Sequence, residues 1–369
     1  MNERYAKQTI LPEIGPAGQA RLGAASVLCV GAGGLGCAAL PYLVGAGVGR
    51  VTIIDADVVD RTNLQRQVLF GEASLGQPKA QAAAQRLRDL NPLVHIEAIE
   101  QRFRAGNAEE LIRGHDVIVD GSDNYPTKYL LADACVKFDR PLVYGSVTGM
   151  EAMATVFHAR RGPCLRCLFP EAPTGWVPNC AEAGVLGPLV GMTGSLQAAE
   201  TVKLLTSPDG AMNSLIGRLW IMDIRDTRQQ IIAVRKRPDC AVCAREASAI
   251  ELPGDEVELR EIGPREAREL TECRLFDVRE PDEFAAGHIP GAISLPLSTL
   301  QEGHGRIPSG ERCLIYCESG ARCRPAAVHF KAAGYREIFS LRGGRQAWHA
   351  AAGSTRATES FTKTQGASR

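Results

Sequence analysis

The stretch Ser26-Val27-Leu28-Cys29-Val30-Gly31-Ala32-Gly33-Gly34-Leu35-Gly36 decides the fold of the first half of this chain. A short apolar run ends in a G-x-G-x-x-G turn, and a helical pattern over residues 35–48 comes next. That order predicts a buried strand feeding a helix. A second apolar run, 51–55, ends on Asp55 about 20 residues after the glycines, where an acid can bind ribose hydroxyls. Glycines let a backbone approach a phosphate, and a helix N-terminus offers it unpaired N–H groups. Taken alone, this fingerprint favours a dinucleotide.

Working outward, 116–120 reads as another buried strand, with helices at 78–90 and 127–138. Pro78 suits a first helical turn, where its missing N–H costs nothing. The alternation predicts a doubly wound, Rossmann-like parallel sheet. Residues 188–205 read as a long apolar helix, and 218–222 with 229–234 as a closing strand pair. Apolar periodicity fades over 244–257. A second alternation then begins, with strands at 275–278, 313–316 and 338–340 and helices near 265–270, 281–286 and 324–333. The chain is therefore read as an α/β domain over 1–245, a linker over 246–256, a smaller α/β domain over 257–352 and a polar, disordered tail over 353–369.

The totals agree with two domains. The chain has 369 residues, 45% of them hydrophobic, enough for real cores. Forty-two basic residues balance 42 acidic ones, which gives no reason to expect nucleic acid or an anionic membrane as partner. No apolar run approaches the ~18 residues of a spanning helix. Met1-Asn2-Glu3-Arg4-Tyr5 lacks an apolar signal region, so a cytoplasmic protein is expected. In a reducing compartment its 12 cysteines suit metal ligands or catalysts better than a disulfide scaffold.

The residues just beyond the second strand shift the reading from dinucleotide to triphosphate. Asp57, then Asn63-Leu64-Gln65-Arg66-Gln67, then Gly76-Gln77-Pro78-Lys79 place cations near the glycine turn. A pyrophosphate can be met by a helix dipole, whereas a triphosphate recruits Arg, Lys and Mg²⁺. Asp120-Gly121-Ser122-Asp123-Asn124 ends another strand at the ligand-binding edge. Asp123 reads there either as a Mg²⁺ ligand or as a solvated acid in a turn.

Four cysteines in two CxxC pairs, Cys164/Cys167 and Cys240/Cys243, suit a closed tetrahedral zinc site. Two redox pairs or four core cysteines are the alternatives. Cys180 precedes the long helix, where a thiol can gain thiolate character; a buried structural cysteine is the other reading. Cys317-Glu318-Ser319-Gly320-Ala321-Arg322-Cys323 comes after a strand and opens a helix. Such a loop aims N–H groups at Cys317 and would stabilise a thiolate or persulfide there, with Arg322 adding positive charge.

GAGGLG, Asp55-Ala56-Asp57, NLQRQ, GQPK and SDN in this order resemble the ubiquitin-activating superfamily, in its molybdopterin-synthase and thiamine adenylyltransferase branch, from about Arg4 to Cys243. The resemblance implies that ATP adenylates the C-terminal glycine of a ubiquitin-like sulfur-carrier protein ending in Gly-Gly. It implies Gly34 against the phosphates, Asp55 on the ribose, Asn63, Arg66 and Lys79 in the ATP site, and Asp123 on Mg²⁺. It also implies a homodimer in which the N-terminal motif reaches the other subunit's ATP. That motif is usually RYxRQ; here it is Arg4-Tyr5-Ala6-Lys7-Gln8, and Lys7 lacks a bidentate fork. The zinc pairs and the CxExGV pattern at Cys180 fit the same family, some members of which bond this cysteine to the carrier.

Phe276-Asp277-Val278-Arg279-Glu280, Glu283-Phe284, Gly287-His288-Ile289-Pro290-Gly291-Ala292 and Gly343-Gly344 resemble a rhodanese domain over about 256–352. This resemblance implies that Cys317 carries sulfane sulfur as a persulfide, taken from thiosulfate or a cysteine desulfurase. His288 is read as structural. Cys323 stands where Ser or Thr is usual, and is read as a resolving thiol or a small loop residue. Carriers for molybdopterin (molybdenum cofactor biosynthesis), thiamine, tRNA thiolation, cysteine and siderophores all suit the pattern.

The halves complement each other: an acyl-adenylate awaits a nucleophile, and a persulfide is one. A short linker raises their effective concentration to about millimolar. Three other readings are weighed: an NAD-dependent oxidoreductase with an accessory rhodanese domain, a zinc-stabilised scaffold, and an activator that conjugates the carrier to lysines through a Cys180 thioester. No His/Asp or Tyr/Lys set suits hydride transfer. Arg66, Lys79, Asp123 and Cys317 argue for chemistry, and the chain shows no separate cysteine domain.

Overall fold

Residues 3–173, 184–207, 212–252, 259–301, 303, 306–308, 310–320 and 322–352 are described by a computed structural model. They fall into two units, one ending at Leu252 and the other starting at Leu259. Cys180, Ala321, most of the expected linker and the tail over 353–369 lie outside the described residues.

In the first unit, β1 (Ser26–Val30), β2 (Arg50–Ile54), β3 (His95–Ile99), β4 (Val117–Asp120), β5 (Leu142–Thr148), β6 (Glu151–Phe157), β7 (Arg218–Asp223) and β8 (Arg228–Ala233) make one sheet. Its order is β3-β2-β1-β4-β5-β6-β7-β8. Pairing is parallel from β3 to β5 and antiparallel from β5 to β8. β4 is buried throughout, and β1 and β2 are buried after their first residue, because helices cover both faces of a parallel sheet. The apolar runs without alternation are the sequence sign of that burial.

The helix Gly34–Ala46 ends at Gly47 in the left-handed region, and the long helix Gly187–Thr206 crosses it closely. A Cβ on Gly194 would stand 2.5 Å from Leu35 O, so only glycine permits that approach. Thr193, Thr201 and Thr206 are buried in the long helix with hydroxyls donating to the carbonyls of Leu189, Gln197 and Val202. Local back-bonding satisfies these polar groups inside the core. The expected strands and helices of this unit are present, shifted by one or two residues at their ends. The sequence reading passes over β3, whose His95 and Glu97 are exposed, and the β5–β6 hairpin, whose Gly145 breaks the apolar run. Gly145 is bare because the Gln197 amide lies on it: a Cβ there would be 2.7 Å from Cδ.

In the second unit, β9 (Leu259–Ile262), β10 (Arg274–Asp277), β11 (Ile293–Ser294), β12 (Arg312–Tyr316) and β13 (Glu337–Leu341) form a parallel sheet in the order β11-β10-β12-β13-β9. Phe276 and Phe330 pack at 4.8 Å between centroids, with Tyr335 edge-on to both. The strand β9 and the last helix, Gly344–Ala352, escape the sequence reading because each is short and half polar. Among the described residues no helix is long and apolar enough to cross a membrane.

Candidate functional site

β1 lies between β2 and β4, so chain order reverses at β1/β4 and a crevice opens at their C-terminal ends. Gly31 and Gly121 end the two strands against each other. A Cβ on Gly31 would stand 2.7 Å from Gly121 O, and one on Gly121 2.4 Å from Gly31 O. Gly31 also has φ +97°, where a side chain strains the backbone. A Cβ on Gly36 would stand 2.1 Å from Gly31 O. The turn is therefore tight enough to start the helix Gly34–Ala46 at the edge of the crevice.

Asp55 lies just past β2 and turns its carboxylate back onto this turn. Oδ2 accepts the Ala32 N–H at 2.7 Å and Oδ1 the Asp57 N–H at 2.8 Å. Burial pushes its carboxyl pKa up, with Lys79 opposing. Asp57 in turn accepts Lys79 Nζ at 3.2 Å, and its carbonyl accepts the Lys79 N–H at 2.9 Å. Val59 donates to Gln77 O and accepts from Gly76 N–H, both at 2.9 Å. This ladder brings Gly76-Gln77-Pro78-Lys79 against the segment after β2 and places a buried lysine there.

Arg66 lies on the same wall: a Cβ on Gly34 would be 3.7 Å from its Cγ. Asn63 turns the chain into it, its carbonyl accepting from the N–H groups of Arg66 and Gln67 at 3.0 and 2.9 Å. Asp123, two residues beyond Gly121, is exposed. The described residues thus bring Gly34, Asp55, Asn63, Arg66 and Lys79 together, with Asp123 at the end of β4. Lys7 does not join them. Its neighbour Gln8 donates to Ala46 O at the last turn of the helix Gly34–Ala46, about 18 Å from the first turn at ~1.5 Å rise per residue.

Two features of this site escape the sequence reading. Asp120 and Lys128 form a buried ion pair at 2.8 Å, with Lys128 also donating to Gly145 O at 2.8 Å and lying 4.8 Å from the Tyr144 ring centroid. Burial disfavours the ammonium, but Asp120 outweighs it and the Lys128 pKa is raised. Asp120 also accepts the N–H and hydroxyl of Ser122 at 3.0 and 2.6 Å, and so shapes the loop that presents Asp123. The second is Gln67, buried beside Gly33, whose Oε1 has no hydrogen-bond partner among the described residues. A ligand's donor would satisfy it. A signal was present for Gln67, a polar residue directly after Arg66; the ion pair had none, because only burial in the fold joins the two residues.

Away from the crevice, Cys164, Cys167, Cys240 and Cys243 are buried, with all four sulfurs within 4.8 Å of one another. Neighbouring sulfurs stand 3.4, 3.5 and 3.8 Å apart, close to the ~3.8 Å edge of a tetrahedron with Zn–S bonds of ~2.3 Å. The Arg237 N–H donates to Cys167 Sγ at 3.4 Å. The cluster fits a zinc knuckle and leaves no protein-free position on the ion.

In the second unit, Cys317 comes directly after β12 and is 1% exposed. Its sulfur accepts the N–H groups of Gly320 at 3.1 Å and Arg322 at 3.3 Å. The Cys323 thiol and the N–H groups of Arg322, Ser319 and Gly320 bring its pKa down to about 6 against burial. Cys323 is itself fully buried, and burial pushes its thiol well up, so it stays an S–H donor, with Ile315 O accepting at 3.5 Å. The Arg322 guanidinium grips Glu283 in a bidentate pair at 2.6 and 2.7 Å; Glu283 first and Cys317 second hold its pKa up, while its backbone N–H bonds the sulfur. His288 stacks on Phe284 at 3.9 Å and bonds its carbonyl, a structural placement as expected.

A ThiF family model matches residues 5–242, and a rhodanese-like domain model matches residues 264–351. The chain is 38% identical over 369 residues to the probable adenylyltransferase/sulfurtransferase MoeZ of Mycobacterium tuberculosis, covering 94% of this chain and 92% of that protein. It is 47% identical over 256 residues to the sulfur carrier protein adenylyltransferase of Thermus thermophilus, covering 68% of this chain and 93% of that one. The crystal structure of Escherichia coli MccB with MccA-N7isoASN has the same fold at a TM-score of 0.59 and 20% identity, over 66% of this chain and 74% of that chain.

Proposed function

The chain belongs to the ThiF family and carries a rhodanese-like domain behind it, and from that premise we propose a two-step sulfur-carrier activase. It adenylates the C-terminal glycine of a ubiquitin-like sulfur-carrier protein with ATP, then passes sulfur from a Cys317 persulfide to form the carrier thiocarboxylate. The observation that carries the first step is the glycine turn joined through Asp55 and Asp57 to Lys79, with Arg66 on the same wall.

ATP binds as substrate with its phosphates over Gly34 and the helix start, its ribose on Asp55 and a base or sugar donor on Gln67. Lys79 and Arg66 neutralise the phosphates and Asn63 holds the loop that carries Arg66. Asp123, exposed at the end of β4, is the residue that would hold Mg²⁺, and the ion would supply positive charge to the phosphates. The carrier's carboxylate attacks the α-phosphorus and pyrophosphate departs. Lys7, far from its own crevice, serves the crevice of a second subunit in a homodimer. The zinc is structural.

In the second step Cys323 and the loop N–H groups keep Cys317 ionised near neutral pH, so it accepts sulfane sulfur from a donor. The terminal sulfur of the persulfide attacks the acyl-adenylate and AMP leaves, giving an acyl disulfide on Cys317. Attack by the Cys180 thiolate on Cys317 Sγ releases the thiocarboxylate, and a reducing thiol then opens the resulting disulfide. The test is the mass of a Gly-Gly-ended carrier after reaction with ATP and a sulfur donor. Cys317→Ala should retain ATP–pyrophosphate exchange and lose thiocarboxylate by at least ~10³-fold; equal thiocarboxylate from that variant removes Cys317 from the reaction.

A further inference from the structure

The side chains around the sulfur loop bear on what hands sulfur to Cys317, an inference that rests on reading Cys317 as the persulfide carrier. Three guanidinium groups border this loop, and each is already paired. Arg279, 2% exposed, holds Asp277 at 2.7 Å and Glu318 at 3.1 Å. Arg345 holds Glu318 through Nε at 2.9 Å and Nη2 at 3.1 Å. Arg322 holds Glu283. Three cations, Arg279, Arg322 and Arg345, therefore meet three carboxylates, Asp277, Glu283 and Glu318, and the ring sums to zero before any charge on the sulfur.

Glu318 is the hinge of that balance. It sits next to Cys317 in the chain, and its one carboxylate bridges two of the three arginines. The start of the helix Gly344–Ala352 fixes it in place: the Arg345 N–H donates to Cys317 O at 2.9 Å and the Gln346 N–H to Glu318 O at 3.4 Å. A dianion brought to the outer face of Cys317 would meet a thiolate within a ring of no net charge. That ring cannot offset the like-charge repulsion.

We propose that Glu318 is a donor-specificity residue: by occupying Arg279 and Arg345 it selects a persulfide carried on a thiol as the sulfur donor and disfavours thiosulfate. In the accepted reaction the Cys317 thiolate attacks the terminal sulfur of R–S–SH. A new S–S bond forms on Cys317 as the donor's S–S bond breaks. The proton stays on the transferred sulfur and R–S⁻ departs with the charge, so no oxidant or reductant is needed. Thiosulfate would have to bring two negative charges and expel sulfite from the same ring.

The experiment loads the full chain with either thiosulfate or a neutral alkyl hydropersulfide and follows the added sulfur on Cys317 by mass in single turnover. The wild-type chain should load from the hydropersulfide and slowly from thiosulfate. Glu318→Gln, which removes one negative charge at unchanged size and releases Arg345 while Arg279 keeps Asp277, should raise thiosulfate loading at least ~10-fold and change hydropersulfide loading far less. A thiosulfate-to-hydropersulfide ratio unchanged by the substitution overturns the proposal. So does a wild-type chain that loads equally fast from both, a result that needs no variant. Loading from neither donor overturns instead the reading of Cys317 as a persulfide carrier, and the proposal falls with it.

Discussion

After β1 and after β12 the chain makes the same move, a strand end turning sharply into a helix with backbone N–H groups gathered at the turn. The first turn is bare. Gly31, Gly34 and Gly36 leave no side chain in it, and the polar groups nearby are held off to one wall, Asp55 on Asp57 and Ala32, Lys79 on Asp57. The second turn is filled by its own residue, because its N–H groups at 3.1 and 3.3 Å point at Cys317 Sγ. On the proposed function, one cradle receives an anion from outside and the other makes one of its own. The difference is set by the first residue after the strand, glycine in one case and cysteine in the other.

If that contrast holds, the two turns should fail in different ways. The largest effect belongs to the bare turn. Gly36→Ala places a methyl where a Cβ would stand 2.1 Å from Gly31 O, and ATP–pyrophosphate exchange should fall by ~10²-fold or more, since about 1 Å of misplacement costs that much. Sulfur loading of Cys317 should be unchanged in the same chain, and a parallel loss of both would break the contrast. A middle-sized effect belongs to the filled turn. The alkylation rate of Cys317 should rise with pH through a midpoint of about 6 and then level. Cys323→Ala removes an S–H donor and should move that midpoint upward by about one unit, whereas Cys323→Ser should largely restore it. An unmoved midpoint would leave the backbone N–H groups as sole cause.

The smallest effect sharpens the role of the ring around the loop. Arg322 holds the Glu283 carboxyl at a pKa of about 2, below its ordinary 4.5. Because the folded value is depressed, the pair's stabilisation is full above about 4.5 and is lost as pH falls toward 2. Glu283→Gln should therefore lower hydrogen-exchange protection of the loop about 2–5-fold near neutral pH, as a partly exposed pair allows. The gap to the wild-type chain should close below pH 4.5 and vanish near 2. A gap independent of pH would show that shape, and not charge, is what Glu283 contributes.

Whatever repeats along the chain or depends on neighbours in sequence could be read without the structure. The run SVLCV leading into GxGxxG gives strand, turn and helix through local sterics, since only glycine enters such a turn. The same holds for the loop after β12, where a cysteine between a strand and a helix start is enough to announce an anionic sulfur. The paired CxxC spacing announced four thiolates, and their assembly across 76 residues is what the doubling implied.

Charge pairing lay beyond that reach, because it depends on which side chains the fold sets side by side. Sequence alone left Arg322 as a positive charge beside sulfur; the fold gives its guanidinium to Glu283, 39 residues away. Asp120 and Lys128 were ordinary polar residues until burial joined them, and Glu318 was one letter in a loop until Arg279 and Arg345 closed on it. Backbone conformation is limited by sterics within a few residues, so both strand-to-helix turns follow from local sequence. Electrostatic energy depends on separation and burial in three dimensions, so which charges stay available at each turn follows from the packing of distant segments.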